Sequence, residues 1–168
     1  MSSIISAHNK GILNRTTTQE KMCNCRNKAQ CPLENKCLTE KLIYQAEVVN
    51  DTNNEKKRYL GLAETTFKQR YSNHLKSFKH KKYSKETELS KYVWELKDNN
   101  MQPTVNWTIL KSFKSRLSSK RCILCLSEKL FIIKNLDDVD LLNKKSEFIS
   151  KCRHVNKYML SNVKDSKD

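Results

Sequence analysis

Glycine, proline and long apolar runs are all scarce in this chain of 168 residues. Two glycines and two prolines argue against a collagen-like or low-complexity protein. No stretch approaches the ~18 apolar residues of a membrane span. The apolar start of the chain is broken at His8, Asn9 and Lys10, so it lacks the apolar core of a secretory signal. We therefore expect one compact intracellular domain with polar tails and no membrane partner.

Acidic residues are also in short supply. The chain has 18 Asp and Glu against 33 Lys and Arg, a formal net charge of +15. Residues 56–91 hold eleven Lys or Arg and three Glu, and residues 111–121 hold five Lys or Arg and no acid. This clustering favours a surface that follows nucleic-acid phosphates over one that only keeps the protein solvated. The residues predicted to contact DNA are Lys56, Lys57, Arg58, Lys68, Lys76, Lys79, Lys111 and Lys114.

The hydrophobic pattern predicts an α+β domain. Strands are predicted at about 42–49, 57–62 and 105–109, and helices from just after Thr65 or Thr66 to about His80, at 87–97 and at 123–134. The last helix is apolar almost all round and is expected to be buried. In the first helix, the predicted apolar stripe is Phe67, Tyr71, Leu75 and Phe78. Arg70 and His74 are four residues apart, so they project together from a neighbouring face.

Seven cysteines in a reducing compartment favour metal binding over disulfides, and an odd number cannot all pair within the chain. Cys122 and Cys125 form a CxxC motif, and Cys152 and His154 follow from 27 residues further on. Three thiolates and an imidazole suit a tetrahedral zinc ion. The alternatives are plain buried cysteines or a redox CxxC, for which the pattern offers no thioredoxin-like βαβ unit.

A second cysteine group precedes the first predicted strand. Cys23, Cys25, Cys31 and Cys37 lie within fifteen residues and can close a four-cysteine zinc knuckle at 23–40. The C-x-C spacing is tighter than usual, so one of its two cysteines is a candidate bystander. The segment has almost no apolar side chains, so a metal ion would be its reason to be ordered; the alternative is a flexible, reduced linker. Residues 1–22 are predicted to form a linker or one short helix, and residues 161–168 a disordered tail.

Several polar residues have the chemistry that phosphodiester hydrolysis needs: an activated water, a cation at the phosphate and a divalent metal. Glu128 lies in an apolar helix, where its carboxylate needs a partner, either Mg²⁺ or a lysine such as Lys129 or Lys134. Arg70 can bind phosphate in a bidentate manner, and His74 titrates near neutrality. Each of these side chains, taken singly, also fits a structural role.

Two short motifs give these residues a shared context. Leu42-Ile43-Tyr44 and Tyr59-Leu60-Gly61 flank a turn-rich stretch, and this order resembles the core of GIY-YIG nucleases. The resemblance implies a small mixed or antiparallel three-stranded sheet flanked by helices, with Mg²⁺ or Mn²⁺ on the glutamate and a tyrosine that activates water. The catalytic residues that it implies are Tyr44, Tyr59, Arg70, His74, Glu128 and Asn143. The chain departs from the family letters at Leu42 and Leu60.

Longer segments resemble the C-terminal endonuclease region of Penelope-like retroelements. They are SAHNKGILN, CNCRNKAQCPLENKCLTE, ETELSKYVWELKD, CILCLSEKL and SKCRHVNKYML, which together extend over residues 4–160. The resemblance implies a nuclease domain at 41–160 with the internal Cys122, Cys125, Cys152 and His154 zinc site. It also implies that a reverse transcriptase precedes residue 1 in a longer polyprotein, that the protein acts in the nucleus on double-stranded DNA, and that element RNA is a further partner.

We therefore expect a metal-dependent endonuclease that nicks DNA and supplies the 3′-hydroxyl that primes reverse transcription at the target. Two alternatives remain. One is a catalytically inactive, zinc-stabilised nucleic-acid-binding module, which nicking activity would exclude. The other is a host structure-specific repair nuclease of the same superfamily, which a preference for branched DNA would favour.

Overall fold

Three strands and three helices form a mixed α+β domain. The structure is a computed structural model that describes residues 22–113 and 122–144. Its strands are β1 (Leu42–Asn50), β2 (Lys56–Ala63) and β3 (Pro103–Ser112), and its helices are α1 (Phe67–Lys79), α2 (Glu88–Asp98) and α3 (Ile123–Lys134). The predicted class and all six predicted elements are confirmed, each to within three residues at both ends. The predictions for residues 1–21, Lys114, Cys152, His154 and the C-terminal tail lie outside the described residues.

The sheet is antiparallel in the order β2-β1-β3. Since β1 is the central strand, neighbours cover both of its edges, and Leu42, Ile43 and Tyr44 are fully buried. The pairing sets Tyr44 opposite Gly61 of β2 and Ile109 of β3. Within the two described ranges, no helix has both the length and the apolar content to cross a lipid bilayer.

Side-chain caps fix where α1 and α2 begin. Thr66 precedes α1 and accepts a hydrogen bond from the Gln69 amide, while Thr87 and Ser90 form a reciprocal capping box at the start of α2. Both helices pack on the face of the sheet that carries Tyr44. The core on this face consists of Leu42, Tyr44, Ala46, Val48, Tyr59 and Ala63 from the strands, Phe67 and Phe78 from α1, Leu89, Val93 and Leu96 from α2, and Leu33 from the cysteine-rich segment.

Two predictions about burial were wrong in part. Leu75 of the predicted stripe is 45% exposed, and His74 is buried in its place at 3% exposure. Leu75 lies about 100° of helical rotation from His74, because each residue turns the helix by that amount, and so points past the edge of the sheet. Helix α3 packs along β2 and β1, but its Leu130 and Ile133 are 48% and 43% exposed. A three-stranded sheet is too narrow to cover more than one side of this helix.

The chain after α3 runs beside β2. The Arg58 amide donates to the Asp140 carbonyl and the Leu142 amide donates to the Arg58 carbonyl, both at 2.8 Å. These bonds form a short parallel pairing between Arg58 and Leu141. The outer edge of β2 is thereby covered, and Asn143 is carried to the backbone of Leu60.

Candidate functional site

Three of the predicted catalytic side chains meet at the hydroxyl of Tyr44. This oxygen lies 2.7 Å from Nε2 of His74 and 3.1 Å from Nε of Arg70. Tyr44 comes from the central strand, while Arg70 and His74 lie on consecutive turns of α1. Because α1 crosses the buried face of the sheet, the two α1 side chains reach the strand tyrosine from the same side.

The direction of these hydrogen bonds follows from the charges. A guanidinium only donates, so Arg70 donates to the Tyr44 oxygen, and the phenol proton is left to point at His74. Burial and the charge of Arg70 lower the pKa of His74 to about 3, so its ring is neutral and can accept that proton. Burial raises the pKa of Tyr44 to about 12, although Arg70 opposes the shift. The resting state is therefore a neutral phenol between a cation and a neutral imidazole.

Tyr59 and Glu128 belong to the same electrostatic centre. The Tyr59 ring meets the His74 ring edge to face, with 6.2 Å between their centroids. Burial by itself would lower the pKa of Arg70, but Tyr44, Tyr59 and Glu128 together raise it. Glu128 is half-buried on α3, and its charge also favours the neutral form of Tyr44. Five of the six predicted catalytic residues are thus brought together from β1, β2, α1 and α3.

Gly61 leaves the space that the Tyr44 hydroxyl occupies. A Cβ atom built on Gly61 would lie 2.5 Å from the Tyr44 oxygen and 2.6 Å from the ring carbon that bears it. Real side chains do not approach so closely, and the fully buried Tyr44 ring has no room to retreat. The requirement for glycine here is therefore steric, set by the residue opposite it in the sheet.

Asn143 contacts the backbone of β2. Its side-chain oxygen accepts from the Leu60 amide at 2.7 Å, and its side-chain nitrogen donates to the Leu60 carbonyl at 2.9 Å. The residue is buried, and both hydrogen bonds are made between the two signature residues Tyr59 and Gly61. Asn143 therefore holds this part of β2 in place.

Most of the described lysines and arginines that were predicted to bind DNA have a partner within the protein. Lys57 and Arg58 pair with Asp140 and Asp138, and Lys56 lies 3.7 Å from Glu47. Lys68 donates to the side chain of Asn24. Of the remaining three, Lys76 lies over the ring of Tyr83, Lys111 lies over the ring of Phe113, and Lys79 is exposed. The charges beside β2 are thus partly neutralised, in contrast to those on α1.

The four cysteines of the N-terminal segment form one cluster. Their sulfur atoms all lie within 4.8 Å of one another, and three of the distances are 3.6, 3.6 and 3.7 Å. In a tetrahedral site with Zn–S bonds of ~2.3 Å, neighbouring sulfurs are ~3.8 Å apart. The cluster can therefore hold a metal ion such as zinc, and both cysteines of the C-x-C pair belong to it.

The backbone around Cys31 is arranged to stabilise a thiolate. Burial opposes ionisation, but the amides of Leu33 and Asn35 donate to the sulfur and help lower the pKa of Cys31 to about 7. The turn that aims these amides uses positive φ angles at Glu34 and Asn35. Such amide-to-sulfur bonds are the outer contacts that fix ligands around a metal.

The other predicted zinc site is described only in part. Cys122 caps α3, and its sulfur accepts from the Cys125 amide at 3.5 Å. Cys152 and His154 lie outside the described residues, so this site remains a prediction.

Sequence reasoning missed Trp107 as part of the site. Its ring centroid lies 5.2 Å from that of His74 and 5.7 Å from that of Tyr44, and it also packs on Phe67 and Tyr71. The alternation of β3 put Trp107 on the inner face, but only the pairing of Trp107 with Ala46 places it beside the tyrosine.

The chain matches no protein-family model, no curated protein and no solved structure. The resemblance to GIY-YIG nucleases therefore stays a prediction from the sequence.

Proposed function

We propose that the protein is a metal-dependent DNA endonuclease of the GIY-YIG type that nicks target DNA by phosphodiester hydrolysis. The observation that carries this proposal is the convergence of Tyr44, Tyr59, Arg70, His74 and Glu128 from four separate elements. A cation, a carboxylate and hydroxyl groups in one place are what phosphoryl chemistry requires. The net charge of +15 supports a polyanionic substrate.

Arg70 is the proposed phosphate ligand. Its Nε is engaged by Tyr44, which leaves its four other N–H donors to contact the scissile phosphate. The bond to Tyr44 orients the guanidinium plane before the substrate arrives, which favours a bidentate contact. Bound phosphate would offset the charge of Arg70 and thereby make His74 a better proton acceptor.

The two tyrosines differ in exposure and therefore in proposed role. Tyr44 is fully buried between Arg70 and His74, while Tyr59 is 6% exposed. Burial separates the Tyr44 hydroxyl from attacking water, so its proposed role is to position Arg70 through the hydrogen bond between them. Tyr59 is the better placed of the two to contact water at the rim of the site.

Glu128 is the proposed ligand of the catalytic Mg²⁺ or Mn²⁺ ion. Mg²⁺ often binds through one or two carboxylates, and water and phosphate oxygens complete its shell. The half-buried Glu128 carboxylate, close enough to Arg70 to raise its pKa, fits this use. When bound, such an ion supplies charge neutralisation and a more acidic water.

The cluster of Cys23, Cys25, Cys31 and Cys37 is the proposed structural zinc site. The site of Cys122, Cys125, Cys152 and His154 is proposed as a second one from the sequence. As in Penelope-like elements, we propose that the nick serves target-primed reverse transcription in the nucleus, with the reverse transcriptase and element RNA as partners.

The test is nicking of supercoiled plasmid with Mg²⁺. Arg70→Lys retains the positive charge but loses the paired N–H donors of the guanidinium. We expect the variant to nick at least ~100-fold more slowly, which is the usual effect of losing one oriented donor to a transition state. Glu128→Gln should lose the nicking activity that Mg²⁺ supports. The matched controls are Lys85→Arg, between α1 and α2, and Glu95→Gln on α2, both at exposed positions, which should nick at nearly the wild-type rate.

Wild-type rates in both Arg70→Lys and Glu128→Gln would contradict this site. A wild-type protein that binds DNA without nicking it would instead indicate the inactive binding module. A strong preference for branched over plasmid DNA would indicate the repair nuclease.

A further inference from the structure

We propose that the metal ion held by Cys23, Cys25, Cys31 and Cys37 positions Arg70 and His74 by fixing the first turn of α1. The ligand is Zn²⁺, which four thiolates select. The proposal concerns the same site as the proposed function, but its main test does not require nuclease activity.

The first amides of α1 are satisfied by the cysteine-rich segment. A helix begins with N–H groups that have no partner within the helix. The Lys68 amide donates to the carbonyl of Cys37 at 2.7 Å, and the Phe67 amide donates to the carbonyl of Thr39 at 2.9 Å. One acceptor is therefore a metal ligand itself, and the other lies two residues beyond it.

A side-chain contact ties the other end of the cluster to the same turn. The Lys68 ammonium donates to the Asn24 side chain at 2.6 Å, and Asn24 lies between Cys23 and Cys25. The segment is also closed on itself, because the Leu38 amide donates to the Met22 carbonyl at 2.9 Å. Residues from both ends of the cysteine cluster, Asn24 and Cys37, thus bind Lys68, which lies two residues before Arg70.

An aromatic relay extends from the first turn of α1 to the site. The ring of Phe67, whose amide donates to Thr39, stacks on the ring of Tyr71 with 6.2 Å between their centroids. The Tyr71 ring packs edge-on against Trp107 at 5.7 Å, and Trp107 lies 5.2 Å from His74. A shift of the cluster would therefore reach His74 through packed rings as well as through the helix backbone.

The segment has little apart from metal to keep it in place. Among residues 22–41, only Leu33 and Cys37 are buried. Two buried side chains cannot offset the conformational entropy of some twenty ordered residues, at about 1–2 kcal/mol each. Metal binding would supply that free energy. Without it, the two carbonyls lose their fixed position, and the turn that contains Arg70 loses its partners.

Small displacements matter here because catalysis depends on geometry. A misplacement of ~1 Å can slow a positioned reaction by ~100-fold. The zinc ion would therefore control the rate without touching the substrate, as a positioning group.

The experiment uses Trp107 as the reporter. The chain has two tryptophans, so Trp94→Phe leaves Trp107 alone beside His74 and Tyr44. Chelator-treated protein is titrated with Zn²⁺ while Trp107 emission and amide exchange of residues 67–70 are followed. We expect the emission to change with zinc occupancy and exchange in this turn to slow by at least ~10-fold, with β1 equally protected throughout.

Two cysteine variants separate positioning from folding. Cys25→His retains a zinc ligand and should keep the Trp107 response, while Cys25→Ser should lose it. Gln30→Ser, at an exposed position of the same segment, removes no zinc ligand and should respond as the wild type does. If Cys25→Ser does not fold, the zinc titration of the wild-type cluster decides alone.

Zinc binding without any change at Trp107 or at residues 67–70 would overturn the proposal, as would failure of the cluster to bind zinc. Wild-type nicking by folded, zinc-free Cys25→Ser would also overturn it while leaving the nuclease proposal intact. A zinc-dependent response in a protein that never nicks DNA would support positioning and contradict only the nuclease proposal.

Discussion

The two ends of the site region are ordered by different forces. Around Tyr44, the hydroxyl and the His74 ring are buried within a core of aromatic rings, and the half-buried Arg70 donates to the hydroxyl. Around Cys37, the thiols share a pocket that contains few apolar side chains. Both regions contact α1: the cysteine cluster at its first turn and the tyrosine centre in its middle.

This difference indicates which interactions supply the free energy that keeps each region ordered. The tyrosine centre belongs to a core that folding itself makes, so its polar groups are held by packing and by each other. In the cysteine cluster, a bound metal ion would supply the free energy that the small buried area does not. We therefore expect the tyrosine centre to fail through mutation of packed residues and the cluster to fail through loss of metal.

Removal of zinc should have the largest effect, because structural zinc binding is worth ~10–16 kcal/mol in small domains. We expect trypsin to cut the zinc-free protein after Arg26, Lys28 or Lys36 at least ~100-fold faster, since these residues are exposed in a segment with few buried side chains. Limited proteolysis with mass spectrometry measures the rates. Cleavage within β1 should not become faster. Equal cleavage rates after Arg26 with and without zinc would contradict the proposed difference between the tyrosine centre and the cysteine cluster.

Asn143→Ala should be the most damaging single change near the tyrosine centre. It removes two hydrogen bonds and leaves the buried Leu60 amide and carbonyl without this partner, which costs about 2–4 kcal/mol. Urea unfolding measures the loss. Asn135→Ala is the control: the side chain of this half-buried residue donates to the Phe131 carbonyl at 2.7 Å, and the change should cost about 1 kcal/mol. Equal losses would indicate that the β2 contact is no stronger than a helix cap.

Gly61→Ala should cost about 1–3 kcal/mol, because the new methyl group overlaps the Tyr44 hydroxyl. In a Tyr44→Phe background part of the overlap disappears, so the same change should cost less there. A double-mutant cycle by urea unfolding measures this coupling. Additive losses would show that the two residues do not compete for space.

Acid should weaken the fold through His74. Its pKa is lowered from the ordinary 6.5 to about 3, so between these values the unfolded chain binds more protons than the folded one. The free energy of unfolding should therefore fall as the pH drops through this window, by up to ~1.4 kcal/mol per pH unit, and this contribution should be constant above pH 6.5.

The pH effect is checked by urea unfolding of zinc-loaded protein from pH 7 to pH 5, with His74→Gln beside it. Gln can still accept the Tyr44 proton but does not titrate, so its slope should be smaller. His80→Gln, at an exposed position, should keep the wild-type slope. An unchanged slope in His74→Gln would show that other groups cause the acid sensitivity.

The local features of this protein were predictable from sequence. Thr66, one of the two caps predicted for the first helix, caps α1, while Thr87, predicted as the first residue of the second helix, caps α2. The four N-terminal cysteines lie within fifteen residues, so a short segment can gather them whatever the rest of the chain does. Strand ends were also close to those predicted, because a turn of asparagines separates β1 from β2.

Features that join distant parts of the chain were not predictable. His74 replaces Leu75 in the core because Tyr44 supplies a hydrogen-bond partner there. Lys57 pairs with Asp140, 83 residues away. Asn143 contacts Leu60 across the same separation. Each depends on which elements pack together, and periodicity carries no information on that.

By itself, the sequence determined the elements, the basic charge and the two cysteine groups, because helix caps, alternation and short-range spacing act within a few residues. The tertiary structure decided which of these side chains meet. It placed Arg70 and His74 on the Tyr44 hydroxyl, gave Gly61 its steric role and joined the cysteine cluster to the first turn of α1. Contacts of this kind require the sheet register and the position of α1 over it, and both are set by burial of the whole core.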